Sequence, residues 1–147
     1  MPLSNPVFAE LLLLASFTHW HDESSVIAGA ALVSDYSSTN PYGITSYQPS
    51  NAVGDSFSFD IFVEAGTYDV TFLGHAYTNR GLASISVNGT LQYSDLDFYG
   101  FNTIVKLNRS IVIPVTGRNT ITVTVVGKNS GSSAFYITLT KVWGIKV

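Results

Sequence analysis

The stretch GDSFSFDIFVEAGTYDVTFLGHAYTNRGLASISVNGT, Gly54–Thr90, decides the fold. Phe57, Phe59, Ile61 and Val63 alternate with Ser58, Asp60 and Phe62. After Ala65-Gly66 the alternation resumes as Tyr68, Val70 and Phe72 against Asp69, Thr71 and Leu73. A polar segment, Gly74 to Gly81, leads into Ala83, Ile85 and Val87. A period of two places one face of each segment in a core and the other in water, which is the pattern of β-strands. Asn88-Gly89 is a hairpin signal, because both residues tolerate the left-handed angles of a tight primed turn.

The same grammar extends outward. Towards the C-terminus, Ile111, Ile113 and Val115 share a face, Pro114 marks an edge or a bulge, and Gly117-Arg118-Asn119 turns the chain. Ile121, Val123 and Val125 alternate with threonines, and Phe135, Ile137 and Leu139 follow the turn GKNSGSS. Tyr93 to Phe101 reads as an aromatic and acidic loop with Leu91 pairing back weakly. Towards the N-terminus, Val26 to Val33 reads as a strand, and His19 to Ser25 as a loop. Val7 to Trp20 is compatible with helix or strand, and its all-β surroundings favour strand. Ser34 to Asn51 lacks clean periodicity, with room for a short strand around Tyr42 to Tyr47. The sum is eight or nine strands: an all-β, antiparallel two-sheet β-sandwich of jelly-roll topology. Residues 1-147 form one domain, with 1-6 as a flexible or interface arm.

Composition bounds the function. Of 147 residues only 12% are charged, against about 25% in ordinary globular chains. The net charge is -3 and the seven Lys and Arg form no basic run, which argues against nucleic acid. No cysteine is present, so disulfides, thiolate chemistry and Cys-ligated zinc are excluded. Leu11 to Leu14 is far short of the roughly 20 apolar residues that a membrane span needs, so no membrane insertion is expected.

The sequence carries no GxGxxG, P-loop, HExxH or GxSxG motif, and the expectation is a non-catalytic protein. His19 and His21 would share a strand face, but two histidines do not make a metal site. A cofactor is not expected. A structural calcium is the one candidate ion, with Asp22, Glu23, Asp95 and Asp97 as hard oxygen donors. The aromatic loops carry more. Tyr36, Tyr42 and Tyr47, then His75, Tyr77, Asn79 and Arg80, then Asp95, Asp97 and Tyr99 place rings beside polar groups. A ring supplies flat apolar contact while a neighbouring amide or acid fixes orientation. The same residues fit a protein interface or the capped ends of the core.

Ala65-Gly66-Thr67-Tyr68 and Val87-Asn88-Gly89, with the ending Gly117 to Trp143, carry a resemblance. The chain from Val26 to Trp143 resembles galactose-binding-like jelly rolls, including carbohydrate-binding modules, and also small bacteriophage tail, fibre and head-decoration proteins. The resemblance implies a virion component assembling with copies of itself, as a homotrimer, and with other virion proteins. Its alternative implication is an extracellular carbohydrate- or receptor-binding module whose partner is a cell-surface glycan.

Overall fold

The computed structural model describes residues 15–20, 24–28, 33–36, 44–48 and 52–147; the segments 25–28, 33–36 and 44–48 are described by their backbone. These residues form twelve strands and no helix. In chain order they are β1 (Ser16–Trp20), β2 (Ser25–Ala28), β3 (Val33–Tyr36), β4 (Ile44–Gln48), β5 (Ser56–Val63) and β6 (Gly66–Ala76). Then come β7 (Leu82–Val87), β8 (Thr90–Asp97), β9 (Thr103–Ile113), β10 (Gly117–Gly127), β11 (Ile137–Leu139) and β12 (Lys141–Lys146).

Nine strands build the two layers of an antiparallel sandwich with jelly-roll topology. One layer has the order β1-β12-β6-β9 and the other β2-β5-β10-β7-β8. A small third sheet has the order β11-β4-β3, with β11 lying beside β6. Alternation fixes what lies between the layers. Phe57, Phe59, Ile61 and Val63 of β5 are buried, as are Tyr68, Val70 and Phe72 of β6 and Ile121, Val123 and Val125 of β10. Each fully buried side chain of this size stabilises by about 1.5–3 kcal/mol.

Asn88 and Gly89 have φ of 49° and 81°, and join β7 to β8 as a tight hairpin with Val87 opposite Thr90. The Ala65-Gly66 return is different. It links strands in opposite layers, as does the 77–81 connection from β6 to β7. The three segments of Gly54–Thr90 therefore wrap the core rather than forming a flat meander. Because strand direction alternates, the turns at 64–66, 88–89 and 114–117 gather at one end of the sandwich. The connections 77–81, 98–102 and 128–136 gather at the other.

Several expectations are corrected. The expected loop Tyr93–Phe101 is mostly strand, since β8 runs to Asp97 and pairs with β7. The expected loop Gly74–Gly81 begins later, because β6 pairs with β9 as far as Ala76. In the long segment 34–51 the short strand expected around Tyr42 to Tyr47 is present as β4, and β3, which starts one residue earlier at Val33, pairs with it from Val33↔Tyr47 to Tyr36↔Ile44. Val115 lies past the end of β9 and is exposed, not on the buried face of Ile111 and Ile113. His19 is in a strand, not a loop. It turns inward, stacks on Phe59 with ring centroids 3.8 Å apart, and is hydrogen-bonded to Ser24 Oγ. Residues 1–14, including the arm and most of the ambiguous segment, lie outside the described residues, as do His21, Asp22 and Glu23.

Candidate functional site

The loop end of the sandwich collects most of the predicted side chains. β6 delivers His75 and Tyr77 there, because Thr138 Oγ1 donates to the His75 carbonyl and accepts from its N–H, holding the strand straight. His75 is buried. Its Nε2–H donates to Asn102 Oδ1 at 2.8 Å, and its Nδ1 is buried without a partner. Asn102 takes a left-handed φ of 50°, which a short polar side chain tolerates and which turns the chain into β9.

Tyr77 is 42% exposed at the rim. Arg80 braces it from below. The Arg80 guanidinium carbon lies 5.9 Å from the Tyr77 ring centroid. Its Nε donates to the His75 carbonyl at 3.2 Å, and a terminal nitrogen donates to Asn79 Oδ1 at 2.6 Å. Arg80 is itself buried, so it positions the ring and does not offer its charge to solvent. Ser132 Oγ donates to the Arg80 carbonyl, which ties the 128–136 connection to the same frame.

Tyr99 enters from the other side. Tyr77 and Tyr99 form a parallel backbone bridge, and the Tyr99 ring meets Phe101 edge-on with centroids 5.7 Å apart. Phe101 is 76% exposed. Asp97 shapes this turn: one carboxylate oxygen accepts from the Tyr99 N–H at 2.9 Å, and the other from Asn129 Nδ2 at 3.4 Å. Gly131 passes over the Tyr99 hydroxyl so closely that a Cβ would lie 2.7 Å from it.

His75, Tyr77, Asn79, Arg80, Asp97 and Tyr99 are thus brought together. Asp95 is not. It lies on β8 across the open seam between the two layers, paired with Arg109 of β9 at 3.3 Å. Tyr36 and Tyr47 fall on β3 and β4, and Tyr42 lies outside the described residues. Phe101, Asn102, Asn129 and Gly131 belong to the site beyond those singled out. GKNSGSS read only as a turn, and nothing in it signals that it folds over Tyr99. The calcium expectation gains no geometry: Asp95 and Asp97 each have another partner, and Asp22 and Glu23 lie outside the described residues. Among the described residues no group of three or more His, Asp or Glu side chains is arranged to hold a metal.

No protein-family model matches the chain, and no curated protein matches it. Solved structures do. A Paenibacillus xanthan lyase superposes with a TM-score of 0.74 at 22% identity, over 88% of this chain and 13% of that one. A family 35 carbohydrate-binding module from Clostridium thermocellum gives 0.68 at 15% identity, over 90% of this chain and 98% of the module. A CBM36-1 domain of a multidomain xylanase from the hindgut metagenome of Trinervitermes trinervoides gives 0.65 at 17% identity, also over 90% and 98%. The fold is that of carbohydrate-binding modules. The chain spans nearly the whole of such modules and about an eighth of the lyase.

These relatives correct the expectation of a virus particle. They are glycan-active enzymes and binding modules, and none is a tail, fibre or decoration protein. Nor do they lend support to a homotrimer or to virion partners.

Proposed function

We propose that this chain is a non-catalytic carbohydrate-binding module acting outside the cell, and that its glycan docks on the loop end of the sandwich. The observation that carries the reading is Tyr77. Its ring is held at the rim by a buried arginine, exposed on the sandwich surface, with Phe101 and Tyr99 nearby on the opposing connection. A fixed ring loses little entropy when the apolar C–H face of a sugar stacks on it. Asn79 and the backbone groups of 98–102 supply directional partners for hydroxyls, which is the usual division of labour in a small-ligand site. The match to carbohydrate-binding modules over nine-tenths of the chain supports the assignment.

Affinity electrophoresis through gels containing xylan, mannan, galactan, β-glucan and xanthan tests it. At least one polymer retards the wild type, and Tyr77→Ala weakens that binding about ten-fold, the loss of ~1.4 kcal/mol, with an unchanged melting temperature. Migration of the wild type unaffected by any polymer would overturn the proposal. So would a Tyr77→Ala variant that binds as the wild type does.

A further inference from the structure

The outer face of the four-stranded layer carries a second group of aromatic and charged side chains, away from the loop end. Strand register sets its rows. Thr18, Trp143, Thr71 and Asn108 lie level across β1, β12, β6 and β9; Trp20, Lys141, Leu73 and Lys106 form the next row. Residues opposite one another project to the same face. Val142, Phe72 and Leu107, one position along, pack on the core, so both rows project from the other side of the sheet; Leu73 is itself fully covered there, while Trp20 and Lys106 are exposed and Lys141 and Trp143 half-buried.

Lys141 sits between two indoles. Its ammonium is 4.9 Å from the Trp20 ring centroid and 5.0 Å from that of Trp143. Such contacts fix the ammonium without neutralising it. Lys106 stands two strands away, about 10 Å by the usual strand spacing. Neither lysine has a carboxylate partner among the described residues, whereas Arg109, Arg118 and Lys146 each have one. In the Trp143 row, Thr71 Oγ1 donates to Asn108 Oδ1 at 2.7 Å. That bond orients the Asn108 amide and leaves its N–H donors for a ligand. In the row beyond, Asp69 is exposed and offers an acceptor.

We infer that this face is a second glycan-binding surface, and that its ligand is a polysaccharide bearing carboxylates. A sugar ring stacks on the Trp143 indole. Its hydroxyls meet Asn108 and Asp69, and carboxylates along the chain meet Lys141 and Lys106. The charge argument selects the class: a neutral glycan leaves both ammonium groups without counter-charge on a surface whose other side chains are Trp, Thr and Asn, with Asp69 a row beyond. The surface uses no residue of the loop end, so a chain with both sites is bivalent, and its avidity for a polymer exceeds either affinity alone.

Isothermal titration with polygalacturonate, alginate and hyaluronate decides the matter, each compared with the same polymer after esterification of its carboxylates. The acidic form of at least one polymer binds, and its esterified form binds about ten-fold or more weakly. Affinity falls with added salt, as it must for partly exposed charges. Lys106→Met with Lys141→Met reproduces the loss in the acidic polymer, Lys141→Arg retains binding, and Tyr77→Ala leaves this interaction in place. No binding of any acidic polymer overturns the inference, as does equal binding of the esterified form. Loss on Tyr77→Ala but not in the double lysine variant also overturns it, and assigns the binding to the loop end. A dimer at micromolar concentration that the lysine changes dissociate would show that a second copy covers the face, and would overturn it too.

Discussion

Asn119 is the polar residue on which the turn end of the sandwich depends. It occupies the inward-facing row of β10 together with Ile121, Val123 and Val125, and it is fully buried. Its Nδ2 donates to the Val115 carbonyl at 2.8 Å and the Gly117 carbonyl at 3.1 Å. Its Oδ1 accepts from Asn88 Nδ2 at 2.8 Å, and Asn88 Oδ1 in turn accepts from the Thr120 N–H. One side chain thus links the β9–β10 turn to the β7–β8 hairpin. Asn119→Ala removes three hydrogen bonds at roughly 1 kcal/mol each and leaves two carbonyls short of a partner, so the expected loss is about 3 kcal/mol. For a chain of this size that is a fall in melting temperature of about 6–12 °C. Asn119→Asp is the sharper test. It keeps the shape but turns an oxygen towards two carbonyl oxygens, so at pH 7 it destabilises more than alanine does. Burial and the facing carbonyls raise the folded-state pKa of that carboxyl. The penalty is therefore small near pH 4 and grows as pH rises through the interval between the unfolded and folded values. Urea denaturation at both pH values reads both effects. A loss below about 1 kcal/mol for alanine, or an aspartate variant indifferent to pH, would refute the idea that these bonds are made in a dry environment.

Two further outcomes follow from other contacts. Asp60 accepts from Thr120 Oγ1 at 2.7 Å and pairs with Arg118, and these hold its pKa below the ordinary value of 3.8. A depressed folded-state pKa contributes stability that is present above the unfolded value and lost as pH falls through the folded one. Because the pair is exposed and screened, Asp60→Asn costs under about 1 kcal/mol at pH 7, and that difference shrinks in acid denaturation as pH falls below the ordinary carboxylate value of 3.8 and through the lowered folded-state value. At the loop end, a methyl group at Gly131 collides with the hydroxyl end of the Tyr99 ring. Gly131→Ala swings that ring aside and weakens glycan retention while shifting the melting temperature by less than about 3 °C. Loss of folding instead would mean that the loop, not the ring, gives way.

Much of the fold was legible because it rests on local periodicity. A buried face every second residue names the strands of Gly54–Thr90, and Asn88-Gly89 names its hairpin by the angles those residues tolerate. The loop-end cluster was partly legible: Tyr77, Asn79, Arg80, Asp97 and Tyr99 stood out as rings beside polar groups. Their roles were not. Sequence could not show that Arg80 is buried as a brace, that Asp97 caps the Tyr99 turn, or that Asp95 belongs to the seam with Arg109. β8 was hidden because bulges at Ala83–Ile85 and Ile85–Ser86 in its pairing with β7 break the alternation that would have revealed it.

The sequence by itself determined that this chain is an antiparallel β-sandwich, because alternation and turn chemistry are properties of a few neighbouring residues. Tertiary structure decided which strands share a layer. Ala65-Gly66 could close a hairpin or carry the chain to the opposite sheet, and the local signal is the same in both cases. The choice falls to the core: β5 and β6 bury their phenylalanines and Tyr68 against each other only when they lie in facing layers. The same long-range packing aligns Trp20, Lys141 and Trp143 on one outer face, and gathers three connections distant in sequence around Tyr77.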